Sequence, residues 1–133
     1  MTFQQGLLDT SIFIASETGR ALDVANMPAE VAASVVTVAE LHAGVLAASD
    51  TATRARRLAT LDTLSDIEVI PIDEGAARAW AHLRVHLAER GRRINVNDLW
   101  IAATALSRGI PVVTQDNDFD AVVGVAGLSV IRV

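Results

Sequence analysis

The chain has no cysteine. That excludes a disulfide framework, a thiolate nucleophile and a Cys-ligated zinc, and it fits a reducing cytoplasm. Lysine is missing too: all 11 basic residues are Arg, so any chemistry that needs a lysine is excluded. Hydrophobic residues make up 51% of the chain, but Ala and Val supply much of that and the purely apolar runs are short. No segment can span a bilayer. The N-terminus lacks a basic stretch followed by a sustained apolar one, so a signal peptide is not expected. Positive charge is also in deficit. The net charge of −5 does not advertise a nucleic-acid binder. There is no internal repeat, low-complexity tract or linker, and 133 residues suffice for a proper core, so a single domain over 1–133 is expected.

What the chain does have is short apolar runs alternating with helical stripes. Strands are expected at about 6–9, 32–36, 68–72, 112–113 and 128–133, and helices at 11–17, 38–48, 52–64, 74–90, 97–108 and 119–122, with a loop over 18–28. In the longest helix Ala76, Trp80, Leu83 and Leu87 recur at helical spacing. Leu99, Ala102, Ala103 and Leu106 do the same in the next. Leu58, Leu61 and Leu64 recur on the third helix. Pro71 inside the third strand argues for an edge position. Helices alternating with short apolar strands indicate an α/β fold with a parallel sheet.

Four acidic residues punctuate this pattern. Asp9 follows Gly6-Leu7-Leu8, Glu40 follows Ala33-Ser34-Val35-Val36, Asp116 follows Pro111-Val112-Val113, and Asp98 opens a helix. Ligand sites in parallel sheets lie at the carboxyl ends of strands, so all four are expected to meet in one crevice. Carboxylates packed that closely repel unless a cation neutralises them. Hard divalent ions such as Mg²⁺ or Mn²⁺ favour such an all-oxygen environment. Each acid also has a plainer reading. Asp9 would cap the following helix, Thr37-Val38-Ala39-Glu40 has the spacing of a capping box, Asp98 would favour a helix N-terminus, and Asp116 and Asp118 would be turn residues. Those readings together require every cap to fall on the same sheet edge by chance. The constellation therefore points to metal-dependent phosphoryl transfer, with a nuclease the leading candidate.

Here the residues reach a family resemblance. Leu7-Leu8-Asp9-Thr10-Ser11, Thr37-Val38-Ala39-Glu40-Leu41, Asn97-Asp98-Leu99-Trp100-Ile101-Ala102-Ala103-Thr104-Ala105 and Thr114-Gln115-Asp116-Asn117-Asp118-Phe119 resemble the signature blocks of PIN-domain ribonucleases. Their order and spacing are most similar to the VapC toxins of bacterial toxin–antitoxin pairs, over essentially the whole chain. The resemblance implies a PIN-like three-layer α/β/α fold with a central, mainly parallel sheet. It implies that Asp9, Glu40, Asp98 and Asp116 are the catalytic, metal-holding acids, assisted by Asp118, with Thr114 as a supporting hydroxyl and Ser11 or Thr10 orienting Asp9. Mg²⁺ or Mn²⁺ is the implied cofactor, and a metal-activated water attacking structured RNA (tRNA or ribosomal RNA) is the implied reaction. Also implied are a cognate antitoxin that occupies the groove, a homodimer, a hetero-oligomer with the antitoxin, and a cytoplasmic location. The alternative is a PIN-like protein that only binds partners; acids intact at all four positions count against it.

Other families that gather aspartates at strand ends, the response-regulator receivers and haloacid-dehalogenase-type phosphatases, use a lysine this chain lacks. No P-loop motif occurs. His82 and His86 stand four apart on one helix but lack the HExxH pattern and a partner ligand, so they read as a polar surface face. His42, two residues past Glu40, is expected to point away from the acids. Arg90, Arg92 and Arg93, just before Asp98, either complement a helix C-terminus or contact RNA phosphates. Arg54, Arg56 and Arg57 read as a solvated helix face, and Trp80 and Trp100 as core or interface rather than as base-stacking platforms.

Overall fold

A computed structural model describes residues 3–133. Five strands, β1 (Gln5–Leu8), β2 (Glu30–Ser34), β3 (Glu68–Ile70), β4 (Val112–Thr114) and β5 (Val130–Arg132), form one sheet in the order β3-β2-β1-β4-β5. Every pairing is parallel. The helices are α1 (Thr10–Thr18), α2 (Val35–Leu46), α3 (Thr51–Asp62), α4 (Glu74–Glu89) and α5 (Val96–Arg108). No helix among the described residues is long and apolar enough to cross a membrane.

The alternation of side chains along a strand builds the layers. Leu7, Ala32, Ile70 and Val112 face one way and pack with Leu83 and Leu87 of α4 and Leu99 of α5. Leu8, Ala33 and Val113 face the other way and pack with Ile12 and Phe13 of α1 and Leu41 of α2. The architecture is thus α/β in three layers, α/β/α. Burial on both faces explains why the central strands read as unbroken apolar runs rather than alternating ones. Gly6 in β1 is required by close approach: a Cβ there would come within 2.7 Å of Val113 and 2.8 Å of Pro28.

Several boundaries differ from the sequence pattern, each for a local reason. The second strand stops at Ser34 rather than running to 36. The Ser34 hydroxyl accepts a hydrogen bond from Val36 N–H at 3.0 Å and so starts α2, drawing the β-branched Val35 and Val36 into the helix. Thr37-Val38-Ala39-Glu40 is therefore no capping box; Thr37 is buried inside the helix and Glu40 lies in its second turn. The third helix ends at Asp62, with Leu64 in a 3-10 turn and Leu58 43% exposed, so the recurring leucines are only partly inward. Pro71 lies just past β3 and ends it, and β3 is an edge strand as expected. Arg54 and Arg57 are not merely solvated. They donate to Ala48 O at 2.9 Å and Gly44 O at 2.6 Å, tying α3 to the carbonyl end of α2.

The strand order sets the position of the crevice. From central β1 the chain moves outward through β2 to β3, then returns over the sheet through α4 and α5 to place β4 on the other side of β1. The order reverses between β1 and β4, where a ligand crevice opens at the carboxyl ends of the strands. Asp9 N–H donates to Val113 O at 2.8 Å, which holds the residue after β1 in register with β4.

Candidate active site

That crevice is a cleft of about 400 Å³ lined by Asp9, Glu40, Asp98, Asp116 and Asp118, together with Thr10, Ser11, Arg20 and Asn95. Asp9 leaves the end of β1 at the N-cap position of α1, yet its side chain makes no capping hydrogen bond. Its carboxylate is free for the cleft. Glu40 comes from the second turn of α2. Asp98 comes from the first turn of α5, whose cap is Asn95, accepting from Asn97 N–H at 2.8 Å. Asp116 and Asp118 follow β4, where Asp118 N–H donates to Asp116 Oδ1 at 3.0 Å and bends the loop inward.

Hydroxyls orient two of the acids, and counting protons shows how. Thr10 Oγ1 lies 2.7 Å from Glu40 Oε1 and 2.9 Å from Thr37 Oγ1. A hydroxyl has one proton. If Thr10 gives its proton to Glu40, Thr37 must donate to Thr10, so the relay runs from the buried Thr37 through Thr10 to the carboxylate. A second relay runs to Asp9. Ser11 Oγ accepts from Gln115 N–H at 3.1 Å and lies 3.2 Å from Thr114 Oγ1, which in turn is 3.0 Å from Asp9 Oδ2. With its single proton on the nearer Asp9, Thr114 Oγ1 accepts from Asp116 N–H at 3.3 Å, which ties the Asp116 loop to the same hydroxyl. Sequence left open whether Thr10 or Ser11 orients Asp9. The geometry gives that place to Ser11 with Thr114, while the Thr10 hydroxyl turns to Glu40.

The electrostatics are those of crowded anions. Burial, then the negative charges of Asp9, Asp118, Glu40 and Asp116, push the Asp98 carboxyl up to about 7. Burial raises Asp9 as well, with Asp116 adding to the effect and the Ser11 and Thr114 hydroxyls opposing it. Asp118 is raised by desolvation and by its neighbour Asp116. The ion pairs among the described residues, Arg78–Glu74 and Arg108–Asp73, lie away from these acids. The donor set suits a hard divalent cation: oxygens only, with excess negative charge. Among the described residues no three His, Asp or Glu side chains close on one point. The carboxylates line the walls of an open cleft instead, which leaves room for the waters and phosphate oxygens that Mg²⁺ retains in its shell.

The remaining sequence candidates divide. Arg92 and Arg93 line a smaller cleft with Asp98, Asn117 and Asp118, beside the acids. Arg90 does not join them; it is the C-cap of α4, and its backbone N–H bonds Leu87 O. His42 is exposed, and neither His82 nor His86 lines the acid cleft. Trp80 and Trp100 stack on each other with centroids 5.1 Å apart. Three residues at or behind the cleft escaped the sequence reading. Thr37 carries a signal in the Thr-x-x-Glu spacing, but that spacing reads as a cap. Arg20 reaches the cleft because Gly19, at φ 75°, closes α1 and turns the chain back. Asn95 is a helix cap whose position beside the acids no local pattern announces.

Comparison with known proteins places this geometry. The PIN domain family model matches residues 6–125. Ribonuclease VapC5 of Mycobacterium tuberculosis is 60% identical over 128 residues, covering 96% of this chain and 95% of that protein. Ribonuclease VapC4 of the same organism is 43% identical over 121 residues, covering 91% and 93%. Among solved structures, the VapBC-5 member of the VapBC family of toxin–antitoxin systems from M. tuberculosis superposes with a TM-score of 0.93 at 56% identity, covering 98% of this chain and 100% of the matched one. A DNA-bound VapBC from Salmonella typhimurium matches with a TM-score of 0.80 at 25% identity, over 98% of both chains. With the fold, the order of the acids and these likenesses in agreement, the chain belongs to the PIN-domain family and, within it, to the VapC ribonucleases.

Proposed function

We propose that this protein is a Mg²⁺- or Mn²⁺-dependent endoribonuclease, the toxin half of a toxin–antitoxin pair, acting on structured RNA such as tRNA or ribosomal RNA in the cytoplasm. The observation that carries the reading is the convergence of Asp9, Glu40, Asp98 and Asp116 in one cleft of oxygen donors. A bound divalent ion supplies charge to stabilise the phosphoryl oxygens and lowers the pKa of a water toward neutrality. The protein's own part is positioning. Asp9, from the end of β1, and Asp98, from the first turn of α5, line the cleft together and would be the centre of the ligand set. Glu40 is held by Thr10 and Thr37, and Asp116 by the loop that Thr114 and Asp118 brace. Arg92 and Arg93, beside Asp98 and Asp118, meet phosphates flanking the scissile bond. Among the described residues neither histidine nor cysteine lines the cleft, and its Thr10 and Ser11 hydroxyls are engaged in the relays to Glu40 and Asp9, so the residues present supply ligands and orientation.

The solved VapBC relatives are toxin–antitoxin assemblies. By likeness, this chain binds a cognate antitoxin in a hetero-oligomer. An acidic cleft attracts a basic antitoxin side chain through charge-assisted hydrogen bonds, which accounts for inhibition at the site itself. The reading also includes a homodimer formed through helical surfaces, supported by exposed apolar side chains such as Leu46 at 82%, Val24 at 74% and Val85 at 56%. Light scattering of the purified chain at micromolar concentration should then report twice the monomer mass; a monomer alone contradicts that part.

Cleavage of total cellular RNA by metal-stripped protein, with and without added Mg²⁺, tests the activity and separates it from a purely partner-binding role. The hydroxyl relay gives a sharper check. Thr10→Val removes the donor to Glu40 while keeping the side chain's shape. Loss of a group that orients a metal ligand costs roughly 10–100-fold in metal affinity or activity. The Mg²⁺ concentration for half-maximal cleavage should therefore rise by about that factor, with the circular dichroism spectrum unchanged. An unaltered Mg²⁺ dependence means that Glu40 needs no such support.

A further inference from the structure

We infer that the groove between the C-terminal half of α4 and the start of α5 takes a nucleobase of the RNA substrate, next to the scissile phosphodiester. This rests on the ribonuclease reading and extends it to a substrate subsite.

The groove has a volume of about 600 Å³, within the roughly 300–1,000 Å³ typical of small-molecule sites. Its apolar wall includes Trp80, Leu87 and Leu99, and its basic wall Arg84, Arg92 and Arg93. No acidic residue lines it, although the chain as a whole carries a net charge of −5. An apolar surface with guanidinium groups beside it matches a nucleotide, whose base is flat and weakly polar and whose phosphates are anionic. A second copy of this chain would bring apolar surface but would also desolvate those guanidinium groups, which is costly unless they find anions.

Continuity selects RNA in particular. Arg92 and Arg93 line both this groove and the smaller cleft that contains Asp98 and Asp118. Asp98 and Asp118 in turn line the acid cleft. A strand held at the acids can therefore follow one surface past Arg92 and Arg93 and lay a neighbouring base beside Trp80. The indole Nε1–H of Trp80 is buried without an acceptor among the described residues.

The chain contains two tryptophans, stacked on each other, of which Trp80 lines this groove. Their fluorescence reports occupancy directly. The experiment titrates the full chain, in Ca²⁺ to suppress cleavage, with a hexauridylate, a hexaadenylate and an abasic ribose-phosphate hexamer. The base-bearing hexamers should quench the emission and bind roughly tenfold or more tightly than the abasic one. Ala88→Phe fills the groove from an exposed helix position and should erase that preference. Arg92→Ala should weaken all three hexamers alike. Equal binding of abasic and base-bearing hexamers overturns the inference. So does a preference that survives Ala88→Phe, or conversion of a dimer to monomer by Ala88→Phe with hexamer binding unchanged, which would assign the groove to a second copy. Cleavage of the same hexamers in Mg²⁺ separates the two levels. Cutting that ignores the groove variants removes only the subsite, whereas no Mg²⁺-dependent cutting of any RNA removes the ribonuclease reading.

Discussion

Asn in place of Asp98 is expected to reduce RNA cleavage by at least about 100-fold while leaving the fold intact. The amide keeps the shape of the side chain but withdraws a negative charge and an anionic ligand from the cleft. Asp98 sits among Asp9, Glu40, Asp116 and Asp118, and its carboxyl is pushed up to about 7 by burial and by those charges. In metal-free protein near neutral pH, the same substitution should therefore raise the melting temperature slightly rather than lower it. Activity lost with stability retained or gained identifies a group that serves chemistry at the expense of the fold. The control is Asp120→Asn, an equal charge change at an exposed residue in a 3-10 turn outside the acid cleft. Initial cleavage rates at saturating Mg²⁺, with parallel thermal melts, give both readouts. A wild-type rate in Asp98→Asn would remove Asp98 from the site.

Metal and pH should act on stability in a linked way. A carboxyl whose folded pKa lies above its unfolded value binds more protons in the folded state between the two. For Asp98 that window runs from the ordinary 3.8 to about 7. Its contribution to stability is greatest on the acid side, falls as pH rises through the window, and is flat above it. Asp9 and Asp118 are shifted in the same direction. Metal-free wild type should thus lose stability relative to Asp98→Asn as pH rises from about 5 to about 7, because the difference between the two proteins isolates this group from carboxylates elsewhere. Mg²⁺ must displace the bound proton, so the rise in melting temperature on adding Mg²⁺ should grow across the same interval. EDTA should abolish cleavage throughout. A wild type that gains on Asp98→Asn over that range, or cleavage that persists in excess chelator, would contradict a crowded, metal-seeking cleft.

The features legible in the sequence were those with local signatures. Leu7-Leu8 and Val112-Val113 are apolar runs because both faces of the sheet are covered, and the acids after them stand out against that background. The long stripe from Ala76 to Leu87 marked α4 because its buried positions recur at helical spacing, with Ala76, Leu83 and Leu87 fully packed. Glu40 lines the cleft, but the plainer reading of its neighbourhood as a cap fails. Thr37-x-x-Glu40 imitates a capping box, while the true cap, Ser34, hides at the end of an apolar strand. The relay from Thr37 through Thr10 to Glu40 joins residues 27 and 30 apart, and the one through Thr114 to Asp9 joins residues 105 apart. No local spacing encodes such contacts; the parallel register of β1 and β4 creates the second and the docking of α2 the first. Arg90, Arg92 and Arg93 look equivalent along the chain. The turn at Gly91 separates them, leaving Arg90 to end α4 and sending Arg92 and Arg93 toward the cleft. The groove beside Trp80 is invisible for the same reason: its walls come from two helices and the loop between them.

Asp9, Glu40, Asp98 and Asp116 are proposed to hold a divalent cation. Anomalous diffraction from crystals equilibrated with Mn²⁺ tests it most directly. The expected result is a peak in the acid cleft with carboxylate oxygens of Asp9 and Asp98 about 2 Å away, and its loss in Asp98→Asn crystals treated identically. An empty cleft in crystals of protein that cleaves RNA in the same Mn²⁺ solution would contradict the claim.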